Sequence, residues 1–166
     1  MWVIKNSKVH GKGIIASKNI KKNTKIIQYI GEKVTKNEGD RRSNSRINKY
    51  LNSEVSGSVY IFELNKKFDI DGLVSYNKAR YINHSCDPNC EVDIVNDEIW
   101  ISSIRKIKKG EELSYDYGYE FDKNDFKDHR CRCGSRDCIG FIISSDDLKI
   151  YKKYINKIIN KKIKSR

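Results

Sequence analysis

Apolar residues recur along this chain in short clusters separated by glycine and lysine–asparagine turns. Trp2-Val3-Ile4, Gly13–Ala16 and Thr24–Ile30 each predict a short strand. Val59–Leu64 predicts another, and Asn65-Lys66 turns it back into Phe68–Ile70. Cys90–Val95, Asn96-Asp97 and Glu98–Ser102 read as a hairpin. Ile107–Gly110 turns the chain into a further strand over Leu113–Tyr117. Helical signals are fewer. Thr35 and Glu38 form a capping-box pattern ahead of a charged segment that runs to about Tyr50, although Gly39 weakens it as a helix. Tyr76–Ile82 predicts one or two helical turns. Ser145 or Asp146 can cap a C-terminal helix on which Ile150, Tyr154, Ile158 and Tyr151, Ile155, Ile159 recur at spacing four. The pattern predicts a small, mostly β domain with short helices and a C-terminal helix.

The 166 residues suit one domain with a real core. No apolar run approaches the ~18 residues that span a bilayer, and the N-terminus lacks the apolar stretch of a signal peptide. An intracellular, reducing location is expected, in cytoplasm or nucleus, where cysteines bind metal or stay free. The formal charge is +12, and residues 149–166 hold seven lysines, one arginine and no acid. Such a run is either a solvated helix face or a contact for nucleic acid or an acidic protein surface. It would also repel a basic partner unless acids line the contact surface; Asp69, Asp71, Glu91, Asp93, Asp97 and the acids of 120–128 are candidates.

Cys131, Cys133 and Cys138 lie close in sequence. A structural zinc takes four ligands in a tetrahedron, and thiolates suit it. The fourth ligand is open between Cys86, Cys90, His84 and His129.

The chain carries Asn83-His84-Ser85-Cys86-Asp87-Pro88-Asn89, then Leu113-Ser114-Tyr115-Asp116-Tyr117, then Cys131-x-Cys133-x4-Cys138. Three motifs in this order resemble the SET-domain protein-lysine methyltransferases with a post-SET zinc loop, and the likeness spans roughly residues 4–143. The resemblance implies a β-clip-like SET fold with a pseudoknot, S-adenosylmethionine as methyl donor, and one structural Zn2+. It makes Cys86 the fourth ligand beside Cys131, Cys133 and Cys138, and leaves Cys90 as a buried apolar residue.

It also implies roles for tyrosines. Tyr117 matches the catalytic tyrosine, Tyr29 a wall of the lysine channel, and Tyr60 the edge of channel and cofactor site. Tyr115 matches a position where Phe and Tyr alternate; Tyr there leaves less room for added methyls, so monomethyl-lysine is the expected product. The cofactor-binding set is Gly11, Lys12, Gly13, Tyr60, Arg80, Asn83, His84, Tyr117 and Phe141. Gly11-x-Gly13 alone marks only a turn, and His10 and His129 carry no such expectation. The expected division is a SET domain over 1–122, a post-SET zinc loop over 123–144 and a basic helix or tail over 145–166. With no cysteine-rich segment ahead of the SET core, the chain is similar to compact stand-alone SET proteins of bacteria or viruses. The substrate is then a histone tail or another lysine-containing protein, in chromatin or elsewhere. The alternative is a catalytically silent, zinc-stabilised module that holds nucleic acid or peptide through its basic tail.

Overall fold

The computed structural model describes residues 1–51 and 60–164. Its strands are β1 (Trp2–Asn6), β2 (Lys12–Ala16), β3 (Lys25–Tyr29), β4 (Glu32–Thr35), β5 (Ile61–Glu63), β6 (Phe68–Asp71), β7 (Asn83–His84), β8 (Cys90–Val95), β9 (Glu98–Ser103) and β10 (Ser114–Tyr115). Helix α1 (Lys36–Leu51) follows β4, and α2 (Leu148–Lys164) ends the described chain. The strands form four small sheets: β1-β2, β3-β9-β8, β4-β6-β5 and β10-β7. The first three are antiparallel. The last is parallel, with Ser114 opposite Asn83 and Tyr115 opposite His84.

Alternation along the strands selects the core. Ile99 and Ile101 on β9 are 1% and 0% exposed, and they meet Ile14, Ile82, Ile107 and Leu113 in one apolar cluster. Asn96 and Asp97 both take positive φ, 53° and 59°, which gives the β8–β9 hairpin the twist its strands need. The predicted strand over 113–117 is shorter than expected. Pairing covers only Ser114–Tyr115, because Leu113 is tied back to Ile14 on β2. The helical turns expected over 76–82 are a 3-10 turn at Ala79–Tyr81. Val59 lies outside the described residues.

Helix α1 forms as its cap predicts: Glu38 N donates to Thr35 Oγ1 at 3.4 Å. Gly39 sits where a Cβ would run into the Asp69 side chain, so the residue that weakened the helix signal permits α1 to lie close on β6. Arg42 and Arg46 then reach buried Asp71 at 2.8 and 2.7 Å. At the other end, Ser144 accepts from Asp146 N ahead of α2, one residue earlier than the expected cap. The buried stripe of α2 also differs from the sequence pattern. Tyr151, Tyr154, Ile155 and Ile158 are half-buried, whereas Ile150 and Ile159 are 57% and 48% exposed. Tyr151 and Tyr154 set this rotation by packing on Phe121, with ring centroids 5.6 and 5.4 Å apart.

Arg41 and Arg42 hydrogen-bond Glu38 and hold its carboxyl down to about 2. A folded-state value below the unfolded one stabilises above the unfolded pKa of ~4.3 and is lost as pH falls through the folded value. Carboxyl NMR should therefore place the Glu38 midpoint near the bottom of its range. Thermal stability of Glu38→Gln should fall less steeply between about pH 5 and 2 than that of the parent.

Candidate active site and metal centre

The β7–β10 pair brings two distant motifs together. Asn89 stitches them: its Nδ2 donates to Glu112 O at 2.8 Å, and its Oδ1 accepts from Ser114 N at 2.9 Å. Ser85 N donates to Tyr115 O at 3.2 Å. His84 lies buried beneath Tyr117, and its Nδ1 accepts from Tyr117 N at 3.2 Å. Burial lowers the His84 pKa, partly offset by Asp116 at 3.7 Å, so the ring is neutral near pH 7. With Nδ1 accepting, the proton belongs on Nε2, which lies 3.5 Å from Cys86 Sγ.

Aromatic rings line one continuous wall. Tyr29 meets Phe62 at 5.2 Å, Phe62 meets Tyr115 at 6.2 Å, and Tyr115 meets Tyr117 at 5.0 Å. Tyr117 meets Tyr119 at 6.0 Å, and Tyr119 meets His129 at 5.0 Å. Burial pushes the hydroxyls of Tyr29, Tyr115, Tyr117 and Tyr119 upward, so all four stay protonated at neutral pH. The Tyr117 hydroxyl donates to Ile82 O at 3.0 Å. The Tyr29 hydroxyl donates to Tyr60 O at 2.9 Å, and Gly72 N donates to the same oxygen at 2.8 Å. Those two bonds hold Tyr60 at φ 57°, a left-handed conformation that costs a non-glycine residue energy. Gly72 is held in turn by Asn77 Nδ2 at 3.1 Å.

The expected cofactor residues divide into groups. Asn83 Nδ2 donates to Glu112 Oε1 at 2.8 Å and to the carbonyls of Lys12 and His10 at 3.1 and 3.3 Å. This joins Gly11, Lys12 and Gly13 to the signature. A Cβ on Gly13 would overlap the Glu112 carboxylate, which also accepts from Ser7. Lys12 and Arg80 both lie over the Tyr81 ring, at 5.8 and 4.9 Å. Phe141 instead packs edge-to-face on Phe126 at 5.0 Å and tilted against Tyr151 at 6.4 Å. Glu112, Asn89 and Tyr119 also belong to the site, and their residue types alone give them no role in the sequence. The repeated Glu-Glu before the Leu-x-Tyr-Asp-Tyr motif was the available signal for Glu112.

An open groove of about 460 Å³ runs beside the wall, lined by Asp40, Glu63, Asp69, Lys36, Tyr119 and His129 among others. Of the acids expected there, Asp69 lines it, ion-paired with Lys36 at 2.6 Å, and Lys36 also reaches Glu63 at 3.1 Å. Asp71 is taken by two arginines and Asp97 pairs with Lys33.

The sulfur atoms of Cys86, Cys131, Cys133 and Cys138 all lie within 4.8 Å of one another. Cys86 is 3.7 Å from Cys131 and 3.9 Å from Cys138. A regular tetrahedron with metal–sulfur bonds of about 2.3 Å has sulfur–sulfur edges of about 3.8 Å, so the four can hold a zinc ion. Burial pushes the Cys86 thiol up to about 12. Burial also acts on Cys133, but hydrogen bonds from the Cys86 segment and Ser135 outweigh it and bring this thiol down to about 6. Cys90 is fully buried in the apolar core, away from this group.

The family profile of the SET domain matches residues 11–118. Histone-lysine N-methyltransferase 2D of Homo sapiens is 38% identical over 136 residues, 80% of this chain and 2% of that protein. The H3 lysine-4 specific histone-lysine N-methyltransferase of Aspergillus oryzae is 39% identical over 140 residues, 82% of this chain and 11% of that protein. Histone-lysine N-methyltransferase trr of Drosophila melanogaster is 39% identical over 136 residues, 80% of this chain and 5% of that protein. The chain thus spans a small part of the length of these relatives. Among the described residues no helix is long and apolar enough to cross a membrane.

The contacts around Gly72 predict a sensitive point. A Cβ there would collide with the Tyr29 hydroxyl and the Asn77 amide. Gly72→Ala should cost about 1–3 kcal/mol of stability, read as a lower denaturant midpoint with an unchanged m-value.

Proposed function

The chain belongs to the SET-domain family, and on that premise we propose that it is an S-adenosylmethionine-dependent protein-lysine N-methyltransferase. The observation that carries this reading is the aromatic wall that passes through Tyr115 and Tyr117, with the Asn83 cluster on the adjoining strand. S-adenosylmethionine, when bound, supplies an electrophilic methyl carbon on a sulfonium. The groups present suit it. Carbonyls of His10 and Lys12 and the Glu112 carboxylate match its ammonium, and Lys12 and Arg80 match its carboxylate. Arg80 Nε is buried without a protein partner. Gly11, Gly13, Tyr60, His84 and Phe141 complete the proposed cofactor set.

The substrate lysine has a pKa of ~10.4 in water and needs a neutral nitrogen to react. Rings of Tyr29, Phe62, Tyr115 and Tyr117 exclude water and disfavour its ammonium form. The same walls aim the nitrogen, which contributes through positioning. Tyr117 keeps its proton and is fixed by Ile82 O and His84, so it acts as an oriented dipole beside the reacting atoms. Tyr29 fixes Tyr60 and the shape of the wall. Tyr115 narrows the site and favours monomethyl product. Three acids against one lysine in the adjoining groove suit a basic protein, a histone or another, on a chain whose net charge is +12. The relatives' names point to histones, hence to chromatin and the nucleus. Residues 1–122 then form the catalytic domain, 123–144 the zinc loop and 145–166 an appended basic helix.

Three measurements test this reading. Incubation with labelled S-adenosylmethionine and a panel of basic proteins should label lysine, with monomethyl product dominant by mass spectrometry. Tyr117→Phe should stay folded and lose about 10²-fold or more in turnover. No labelling by folded, metal-loaded protein overturns the activity, and mostly trimethyl product at low turnover overturns the product state. Metal analysis of protein purified without chelator should find one zinc per chain, lost together with thermal stability in Cys131→Ser.

A further inference from the structure

Helix α2 carries a face that methyl transfer leaves unused. Its seventeen residues, Leu148–Lys164, contain no acid. Tyr151 and Tyr154 turn one side inward onto Phe121 and Phe126. A helix advances about 100° per residue, which puts Lys149, Lys152, Lys153 and Lys157 on the opposite side. All four are exposed. Lys149 and Lys153, and Lys153 and Lys157, stand at i,i+4, a spacing at which like charges destabilise a helix. Among the described residues no ion pair relieves them; the recorded pairs lie on α1, the β4–β6 sheet and the loops near Arg105 and His84. The fold therefore maintains a repulsive cationic row that its own packing does not require.

The row is also fixed in direction. Phe121 N donates to Asp147 Oδ2 at 2.7 Å, and Ser145 N donates to Asp116 Oδ2 at 2.9 Å, beside Tyr117. The basic face thus has a set orientation relative to the active site, and the acidic groove is a separate surface.

We propose that this face of α2 binds the phosphate backbone of duplex DNA. Along the middle of this face the exposed residues are lysines with Asn156 and Asn160, and exposed Ile150 and Ile159 flank it on either side. The lysine and asparagine side chains suit phosphate and groove contacts. No aromatic ring faces outward between them, and rings are what single strands stack on. A straight helix fits the wide major groove of B-form DNA and not the deep, narrow one of duplex RNA. Bound in this way, the enzyme would be held on DNA while its groove engages a basic protein on the same DNA. The binding itself does not depend on the methyl-transfer reading and is measured without methyl donor.

The test uses the full chain and a labelled short DNA duplex in a salt series read by fluorescence anisotropy. The expected result is micromolar binding that weakens steeply with salt. Replacing Lys149, Lys152, Lys153 and Lys157 together with Gln should cut affinity at least tenfold and reduce the log–log salt slope by about 3–4. The matching Lys→Arg variant should keep both, which separates lost charge from a disturbed fold. Unchanged affinity and slope in the Gln variant overturn the proposal. So does equal or tighter binding of single-stranded DNA, duplex RNA or polyglutamate, since each would assign the face to a different partner.

Discussion

Two residues of parallel pairing hold this site together. The β7–β10 ladder joins Asn83-His84 to Ser114-Tyr115, about thirty residues away in sequence. So short a ladder has little strength of its own. Asn89 supplies the rest by using both ends of a buried amide against the Glu112–Ser114 backbone. Once that register is set, Tyr117 N falls on His84 Nδ1 and the Tyr117 hydroxyl on Ile82 O. The polar cluster around Asn83, the aromatic wall and the cysteine group then all meet along one strand pair.

His84 links two of these centres. One ring nitrogen accepts from the Tyr117 backbone and the other faces Cys86 Sγ. A histidine in this role must be neutral, and burial keeps it so. Such orienting contacts are how surrounding groups fix both a ligand and a reactive side chain. Tyr60 is a second constrained point: its left-handed backbone persists because Tyr29 and Gly72 both bond its carbonyl. Tyr29 therefore spends its hydroxyl on the wall's architecture.

Charge is segregated as well. Acids of α1, β5 and β6 face the groove, while α2 turns lysines outward on a different element.

Several elements were legible from residue order alone. Short apolar runs bounded by glycine and lysine–asparagine turns identified β1, β2, β3, β8 and β9, since a strand that buries a face needs apolar residues and a turn at each end. Thr35 and Glu38 announced α1, because a helix start must satisfy its free amides locally. The three motifs, in order, identified the family. Tertiary contacts decided the rest. Gly39 looked like a helix breaker until its fit against Asp69 became visible. The α2 stripe was blurred in sequence because six apolar positions recur at spacing four, and only the Phe121–Phe126 platform selects which of them turn inward. Asp40 and Glu63 entered the groove, and Phe141 joined the Phe126 cluster, through packing between segments far apart in the chain. Local sequence specifies hydrogen-bonding and burial needs that neighbouring residues can meet. Which distant partner meets the remaining needs is fixed only when the whole chain closes on itself.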